Sequence, residues 1–202
     1  MGRKLKCLEI VAFVVAFALL GGLLADKEAL REDILRLHVV AASDSEEDQA
    51  VKLTVRDAIL ASLEEGLADL TDLNQAKEYV QEMLPKLEET ANRVLAENGF
   101  SDTVTMSLTE EEFPVREYDS FTLPSGVYNA LRVVIGEGEG HNWWCVVFPQ
   151  LCLSATSEDF AEVSNFSDTL NGTLTGQYEI RFWLLDKLGQ LENFLHSASE
   201  EG

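Results

Sequence analysis

The fold is decided by Ile34–Asp48, whose sequence is ILRLHVVAASDSEED. Apolar side chains at alternate positions predict a half-buried β-strand over Ile34–Ala42. The acidic run that follows starts at Ser43 and has Glu46 three residues later, which is the spacing of a helix-capping box. We therefore predict a strand that passes directly into an α-helix capped by Ser43.

Two helical stretches follow this strand. The first is expected to end near Gly66, and its apolar face consists of Val51, Val55, Ile59 and Leu63. The second runs from Asn74 to Asn98 and ends at Gly99, with an apolar stripe of Val80, Leu84, Leu87, Ala91, Val94 and Leu95. Because proline lacks a backbone donor and crowds the preceding turn, we expect a break or kink around Met83–Pro85.

Strand patterns dominate the middle of the chain. Asp102–Thr109 alternates between apolar and polar residues, and Glu110–Pro114 is interpreted as a connection. Val127–Glu137 has the clearest strand pattern in the chain. Its expected partner is Trp143–Phe148, joined to it through the glycine-rich turn Gly136–Gly140.

The C-terminal part is less regular. Residues 154–176 are rich in Ser, Thr, Asn and Asp and are interpreted as a loop, and Tyr178–Phe182 is interpreted as a last strand. A helix should follow, with an apolar side made of Leu184, Leu188, Leu191 and Leu195. This order of elements predicts an α+β domain in which helices pack on a largely antiparallel sheet.

The N-terminus differs from the rest of the chain. Ile10–Ala25 is an uninterrupted run of apolar or small residues behind a short basic segment, which is the pattern of an export signal or a transmembrane anchor. Cleavage is poorly signalled, so we favour an uncleaved anchor over residues 1–26. Because the basic segment stays in the cytoplasm, residues 27–202 are predicted to be an exported domain.

The net charge limits the possible partners. The chain has 36 acidic and 15 Lys or Arg residues, for a formal charge of -21. Since nucleic-acid binding depends on neutralising phosphates with Lys and Arg, such a surface repels nucleic acid. We exclude nucleic acid as a partner.

Two cysteines fall within the predicted exported part, at Cys145 and Cys152. Thiols that are close in sequence and outside the cytoplasm usually pair, so we favour a disulfide. The alternative is a thiol nucleophile at Cys145 with His141 as its base.

Motifs for cofactor or metal chemistry are incomplete. Gly136–Gly140 lacks the final glycine of a dinucleotide-binding loop and the Lys-Ser/Thr of a Walker A motif. Asp44–Asp48 lacks the spacing and glycine of an EF-hand loop, and the histidines are too scattered for a zinc signature. We predict neither a metal nor a cofactor, and no complete catalytic motif was found.

The remaining candidates suggest a contact surface. In so acidic a domain, convergence of the basic residues would create a local cationic site, whereas separate ion pairs would create none. One of two adjacent strand tryptophans should point outward and could anchor a partner, although both could instead cover the edges of the core. The candidates are Arg36, His38, Asp44, Gln49, Lys52, Arg56, Arg132, Asn142, Trp143 and Trp144.

Two blocks of the sequence resemble a known family. Arg36–Gln49, RLHVVAASDSEEDQ, resembles the N-terminal signature of the stage II sporulation protein R family. The stretch Leu123–Cys152, with LPSGVYNALRVVIG and then NWWC, Phe-Pro and Cys, is similar to the family's most distinctive segment. With the anchor and the Arg181-Phe182 segment, the resemblance spans nearly the whole chain.

The resemblance implies an exported signalling protein of endospore-forming bacteria rather than an enzyme. Such proteins are made in the forespore and act in the space between the forespore and mother-cell membranes. There they activate a membrane-embedded aspartic protease, which cleaves the pro-sequence of the sigma-E precursor. The alternative that the residues leave open is an exported enzyme or cell-wall-binding module that uses His38, Asp44 and Arg132.

Overall fold

The computed structural model describes residues 2–118, 121–150, 168–177 and 179–200. In these ranges the elements are α1 (Gly2–Asp33), β1 (Leu35–Val40), α2 (Glu46–Ala68), α3 (Leu73–Glu97), β2 (Val104–Phe113), β3 (Arg116–Glu117), β4 (Thr122–Leu123), β5 (Gly126–Ile135), β6 (Asn142–Phe148), α4 (Asp168–Leu174) and α5 (Glu179–Glu200).

A four-stranded sheet in the order β2-β5-β1-β6 organises the molecule. Strand β1 lies inside the sheet, parallel to β5 and antiparallel to β6, and β2 runs antiparallel to β5. The α+β class and the mostly antiparallel sheet are therefore confirmed. The predicted pairing of β5 with β6 is wrong, because β1, which is covered on both faces, takes the position between them.

One face of the sheet, here called the α2 face, is covered by α2 and α3. Strand residues such as Leu37 and Leu131 lie opposite each other on it and are fully buried. They pack with Val55 and Ile59 of α2 and with Leu87 of α3 in one apolar cluster. The alternation seen in β1 and β5 thus places every second side chain in this core.

The other face, here called the α5 face, is covered by the end of α1, by α4 and by α5. Leu30, Tyr128 and Leu185 belong to its apolar cluster. At Gly189 the helix comes so close to the chain that a Cβ atom would lie 1.5 Å from the Ser125 carbonyl oxygen. Glycine therefore sets the position of α5 on the sheet.

The start of α2 differs from the prediction. Its N-cap is Ser45, whose side chain accepts a hydrogen bond from the Asp48 amide at 3.1 Å, and not Ser43. The Ser43 hydroxyl instead accepts from the Ser45 amide and donates to the Asp48 carboxylate. Both serines stabilise the first turn. Ser45 pairs with the Asp48 amide, which the helix itself leaves without a partner, and Ser43 binds the Ser45 amide and the Asp48 carboxylate.

Helix α3 is continuous, so the break that was one of two expected effects of Pro85 is not present. Pro85 is exposed, and the carbonyl that its ring leaves unpaired can be hydrated. Val80 and Leu87, on either side of the proline, are both fully buried and hold the helix against the sheet. The predicted stripe packs on the core, and Gly99 follows the helix with a left-handed φ of 84°.

Two segments differ from their predicted structure in the second half of the chain. Glu110–Phe113 continues β2 instead of forming a connection. Residues 179–182 begin α5 instead of forming a strand, and part of the predicted loop, Asp168–Leu174, is the helix α4. Residues 154–167 of the predicted loop lie outside the described ranges.

The apolar side predicted for α5 is also largely wrong. Leu191 and Leu195 are more than half exposed, whereas Leu185 and Gly189 face the sheet. Helix α5 has apolar residues around most of its circumference, so its sequence pattern does not indicate which side packs on the sheet.

Helix α1 runs past the predicted boundary at residue 26 and ends at Asp33. Its segment Glu9–Asp33 is long and apolar enough to cross a membrane. Side chains from Ile10 to Leu20 are exposed, whereas Leu30 is buried against the α5 face. The helix is thus free at its N-terminal part and packed at its C-terminal end.

Candidate functional site

The predicted contact residues lie on both sides of one sheet edge. Trp143 and Trp144 are neighbours on the edge strand β6 and face opposite directions. Trp143 pairs with Val39 of β1 and lies on the α2 face, whereas Trp144 pairs with His38 and lies on the α5 face. The candidates therefore form two groups.

The group on the α5 face, here called the His38 cluster, consists of His38, Glu111, Arg132, Asn142 and Trp144. One ring nitrogen of His38 is 2.9 Å from the Glu111 carboxylate, and the other is 2.8 Å from the Asn142 side-chain oxygen. Arg132 donates to the second oxygen of Glu111, and the Trp144 ring stacks on His38 with centroids 5.6 Å apart. Four strands thus contribute to one connected group.

Glu111 is the centre of this cluster. Burial by itself would raise the pKa of the Glu111 carboxyl, but the hydrogen bonds and charges of His38 and Arg132 outweigh it and lower that pKa below its usual value. Glu111 is therefore held as a carboxylate that orients both basic side chains. The sequence pattern did not indicate this role, because three consecutive glutamates, Glu110–Glu112, show no alternation of apolar and polar residues.

Arg36 does not lie on the surface, so its predicted role as a partner contact is wrong. Its side chain is fully buried, with the guanidinium 4.1 Å from the centroid of Phe113 and 5.0 Å from that of Tyr128. Its Nη2 donates to the Tyr118 hydroxyl at 2.6 Å, and Nε and Nη1 have no hydrogen-bond partner. Aromatic faces stabilise this charge in place of a carboxylate.

Arg116 is a further residue of this region that the sequence pattern did not indicate. Its guanidinium lies 3.7 Å from the centroid of the Trp144 ring. Burial, the largest effect, and the charge of Arg36 lower the Arg116 pKa. Trp144 is thus held between His38 and Arg116.

The group on the α2 face, here called the Lys52 cluster, consists of Asp44, Gln49, Lys52 and His141. Lys52 is buried and donates to the Gln49 side-chain oxygen at 2.6 Å and to the His141 carbonyl at 2.9 Å. Asp44 accepts from the His141 amide at 2.6 Å and contacts the His141 ring. Burial, the largest effect, lowers the Lys52 pKa.

The close approach of Gly140 to the chain explains why this cluster forms. A Cβ atom at Gly140 would lie 2.2 Å from the Ser43 carbonyl oxygen, so only glycine allows the turn before β6 to lie against the start of α2. The Gly140 amide donates to the Ala41 carbonyl at 2.9 Å. The turn therefore fixes the segment after β1, and the Lys52 cluster has a structural role.

Arg56 and Trp143 form a partly exposed pair next to the Lys52 cluster. The Arg56 guanidinium lies 4.4 Å from the centroid of the Trp143 ring and also pairs with Asp57. Trp143 is 37% exposed, so of the two adjacent tryptophans on β6 it is the one that faces solvent. The predicted orientation of one ring outward is thus observed.

The basic candidates do not converge into one cationic site. Arg132 and His38 share Glu111, Lys52 binds neutral oxygen atoms on the other face, and Arg36 is buried. Asp44 hydrogen bonds to His141, so the groups of the alternative enzyme site belong to separate clusters. The structure thus contains separate interactions of the basic residues, which was the alternative to a single cationic site.

Cys145 is buried on the α2 face, whereas the His141 side chain is 76% exposed and contacts Asp44. This arrangement does not favour the alternative in which His141 activates Cys145. Cys152 lies outside the described ranges, so the disulfide stays a prediction. Among the described residues, no group of three or more His, Cys, Asp or Glu side chains could hold a metal ion.

A groove of about 450 Å³ lies beside the His38 cluster. It is bounded by β2 and by the C-terminal half of α5, where His196 approaches Glu112 at 3.2 Å. Arg132, with 45% of its side chain exposed, lines it from the sheet. The groove gives a partner access to Arg132 while His38 and Glu111 stay mostly covered.

Comparison with known proteins identifies the family. The family model described as stage II sporulation protein R matches residues 31–158, which is more than half of the chain. The chain is also similar to a protein named stage II sporulation protein R from Bacillus subtilis (strain 168), with 28% identity over 159 residues that cover 74% of this chain and 71% of the relative. No solved structure matches. The chain therefore belongs to the stage II sporulation protein R family.

Proposed function

We propose that this chain is an exported, membrane-anchored signalling protein of sporulation that activates a membrane-embedded aspartic protease. The protease then cleaves the pro-sequence of the sigma-E precursor. Membership of the stage II sporulation protein R family carries the proposal. The exposed apolar helix α1 supports the anchoring, since it has the length and composition of a membrane span.

Activation without catalysis requires preferential binding to one state of the protease. A ligand shifts an equilibrium only by the difference between its affinities for the two states. We propose that this chain binds the active arrangement through Arg132, Asn142 and Trp143. Asn142 and Trp143 are exposed on the edge strand β6, and Arg132 is exposed on the interior strand β5. All three adjoin the buried residues of the two clusters.

The test is a reconstituted processing assay with the protease in vesicles, the sigma-E precursor and the full chain. Processing should require the wild-type chain, and Arg132→Ala, Asn142→Ala or Trp143→Ala should each lower it by about tenfold, the effect of losing about 1.4 kcal/mol of binding. Arg93→Ala, at an exposed position on α3, is the control and should activate normally.

The outcomes separate the function from the surface. Full activation by all three variants would reject this contact surface and keep the function. Absence of processing with the wild-type chain, with every component active, would reject the function. Turnover of a substrate by the purified chain alone would favour the enzyme alternative.

The location and the disulfide are further parts of the proposal. A reporter fused after Gly202 should be active only outside the cytoplasm of the producing cell. Mass spectrometry of the exported chain without reductant should show Cys145 linked to Cys152. A free Cys152 thiol in that chain would reject the bridge.

A further inference from the structure

Helix α5 exposes a continuous apolar face. Six large apolar side chains on it are between 37% and 79% exposed: Ile180, Trp183, Leu184, Leu191, Phe194 and Leu195. Their spacing of three, four and seven residues places them on one side of the helix. The opposite side, with Leu185 and Gly189, packs on the sheet. The apolar face therefore points away from the domain.

Helix α5 crosses α1 instead of running along it. Two consecutive residues of α1 pair with α5 residues eleven positions apart: Asp26 accepts from Arg181 Nε at 2.9 Å, and Lys27 is 2.8 Å from Glu192. Helices packed side by side would show similar spacings on both partners. The two helices thus meet at a steep angle near Asp26.

The crossing lies where the apolar run of α1 ends. Asp26 and Lys27 are the first charged residues after Ile10–Ala25. Toward its C-terminus, α1 enters the core of the α5 face through Leu30. Toward its N-terminus, beyond α5, it carries exposed side chains such as Phe17 and Leu20. The exposed part of α1 therefore begins beside α5, next to Arg181.

From this arrangement we infer that the apolar face of α5 lies on the lipid surface around the anchor, as an interfacial helix parallel to the bilayer. The inference rests on the proposed anchoring by α1. If α1 crosses the bilayer, its first charged residues mark the outer surface, and α5 is held at that level with its apolar side toward lipid.

The residues of this face suit a lipid interface. Trp183 is an aromatic residue of the kind that is enriched at the level of lipid headgroups. Lys187 projects from the same side and can extend its ammonium group toward the headgroups while its stem covers apolar surface. Because the whole chain carries a charge of -21, we expect binding to neutral phosphatidylcholine and no requirement for anionic lipid.

The test is tryptophan quenching in lipid nanodiscs that hold one full-length chain each. Brominated phosphatidylcholine should quench the emission of the wild-type chain, and Trp183→Phe should remove most of that quenching. Trp143→Phe is the matched control. Trp143 lies on the α2 face, away from the proposed lipid surface, so the variant should keep most of the wild-type quenching.

A second variant tests the face itself. The combined change Leu191→Ser, Phe194→Ser and Leu195→Ser should lower the quenching of Trp183 severalfold without unfolding the chain, because all three side chains are exposed. Gln75→Ser, at an exposed position on α3, should leave the quenching unchanged. Circular dichroism checks the folding of each variant.

The outcomes distinguish the inference from the proposed anchoring. Resistance to alkaline extraction reports whether α1 is inserted. An inserted chain whose Trp183 is not quenched would overturn the interfacial helix and leave the anchor, whereas an extractable chain would overturn both. Contact of Trp183 with a second chain in two-copy discs, or quenching that needs the protease, would assign the face to those partners and overturn lipid docking.

Discussion

The two faces of the sheet differ in what they bury. The α2 face encloses an apolar cluster that joins β1 and β5 to two long helices. The α5 face buries the charged Arg36, holds His38 and Glu111 partly covered, and carries a helix with an exposed apolar side. Burying a charge without a counter-charge is costly, so the polar face is not optimised for stability.

This difference indicates a division of tasks. The α2 face supplies the apolar burial that stabilises the domain, since burial of apolar surface is the dominant favourable term in folding. The α5 face bears the groove, the exposed candidate contacts Arg132 and Asn142, and the proposed lipid-facing helix. We therefore expect the largest losses of stability from changes in the core of the α2 face.

The largest effect is expected at Leu37. Replacing this fully buried residue by alanine should lower the free energy of unfolding by about 2–5 kcal/mol, because it leaves a cavity in the core. Val115→Ala, at a side chain that is 40% exposed, should change it by no more than about 0.5 kcal/mol. Urea denaturation of the full chain in micelles measures both. Equal losses would contradict the apolar character assigned to the α2 face.

Gly189→Ala should have the next largest effect. The added Cβ atom would clash with the Ser125 carbonyl oxygen and displace α5, which should cost about 1–3 kcal/mol of stability. It should also weaken the hydrogen bond of 3.0 Å from the Ser125 amide to Asp186. Gly21→Ala is the control, because a Cβ atom there meets nothing within 4 Å. The same urea denaturation measures both variants. Equal free energies of unfolding for Gly189→Ala and Gly21→Ala would contradict the tight docking of α5.

Glu111→Gln should change the pH dependence of stability. The Glu111 pKa is lowered in the folded state, so its contribution is fully present above the ordinary pKa of a glutamic acid and is lost as the pH falls through the lower folded value. The variant should therefore be less stable than wild type at neutral pH, and the difference should vanish in acid.

Glu110→Gln is the control for this measurement. Glu110 pairs with Arg31 at 2.6 Å on a more exposed part of the same strand, so the variant should retain the wild-type acid transition. Thermal melts across the acid range measure the effect. A Glu111→Gln curve that stays parallel to the wild-type curve would show that the His38 cluster does not depend on this carboxylate.

The smallest effect is expected for the pair of Arg56 and Trp143. A double-mutant cycle with alanine at both positions should give a coupling free energy of about 0.5–1 kcal/mol, as for an exposed cation–π pair. Additive single changes would show that the Trp143 ring is free to reorient. In that case Trp143 could bind a partner without first breaking its contact with the Arg56 guanidinium.

Local patterns predicted the elements whose two sides differ. The alternation in β1 and β5 and the stripe of α3 match the buried residues because each has one apolar and one mixed face. The pairing of β5 with β6 failed because strand order depends on distant contacts: β1 meets β5 at Leu35 and Asn129, which are far apart in sequence. Periodicity contains no information on such neighbours.

The candidate site was predicted only in part, because alternation indicates which face a side chain lies on but not which residues of other strands lie beside it. Alternation correctly placed Trp143 and Trp144 on opposite faces, and it placed Arg36 and His38 together. It could not show that Arg36 is covered by Phe113 and Tyr128, because those rings come from other strands. Glu111 was missed since its importance comes from two basic partners on neighbouring strands.

The position of β1 has a consequence for how an exported chain folds. This strand follows α1 directly and would leave the membrane first, yet both of its neighbours in the sheet belong to the segment from Gly126 to Phe148. Closing such long loops is slow, and the pairing cannot begin before that segment has also crossed. If the chain is exported as proposed, the sheet can therefore form around β1 only after the third quarter of the chain has crossed the membrane.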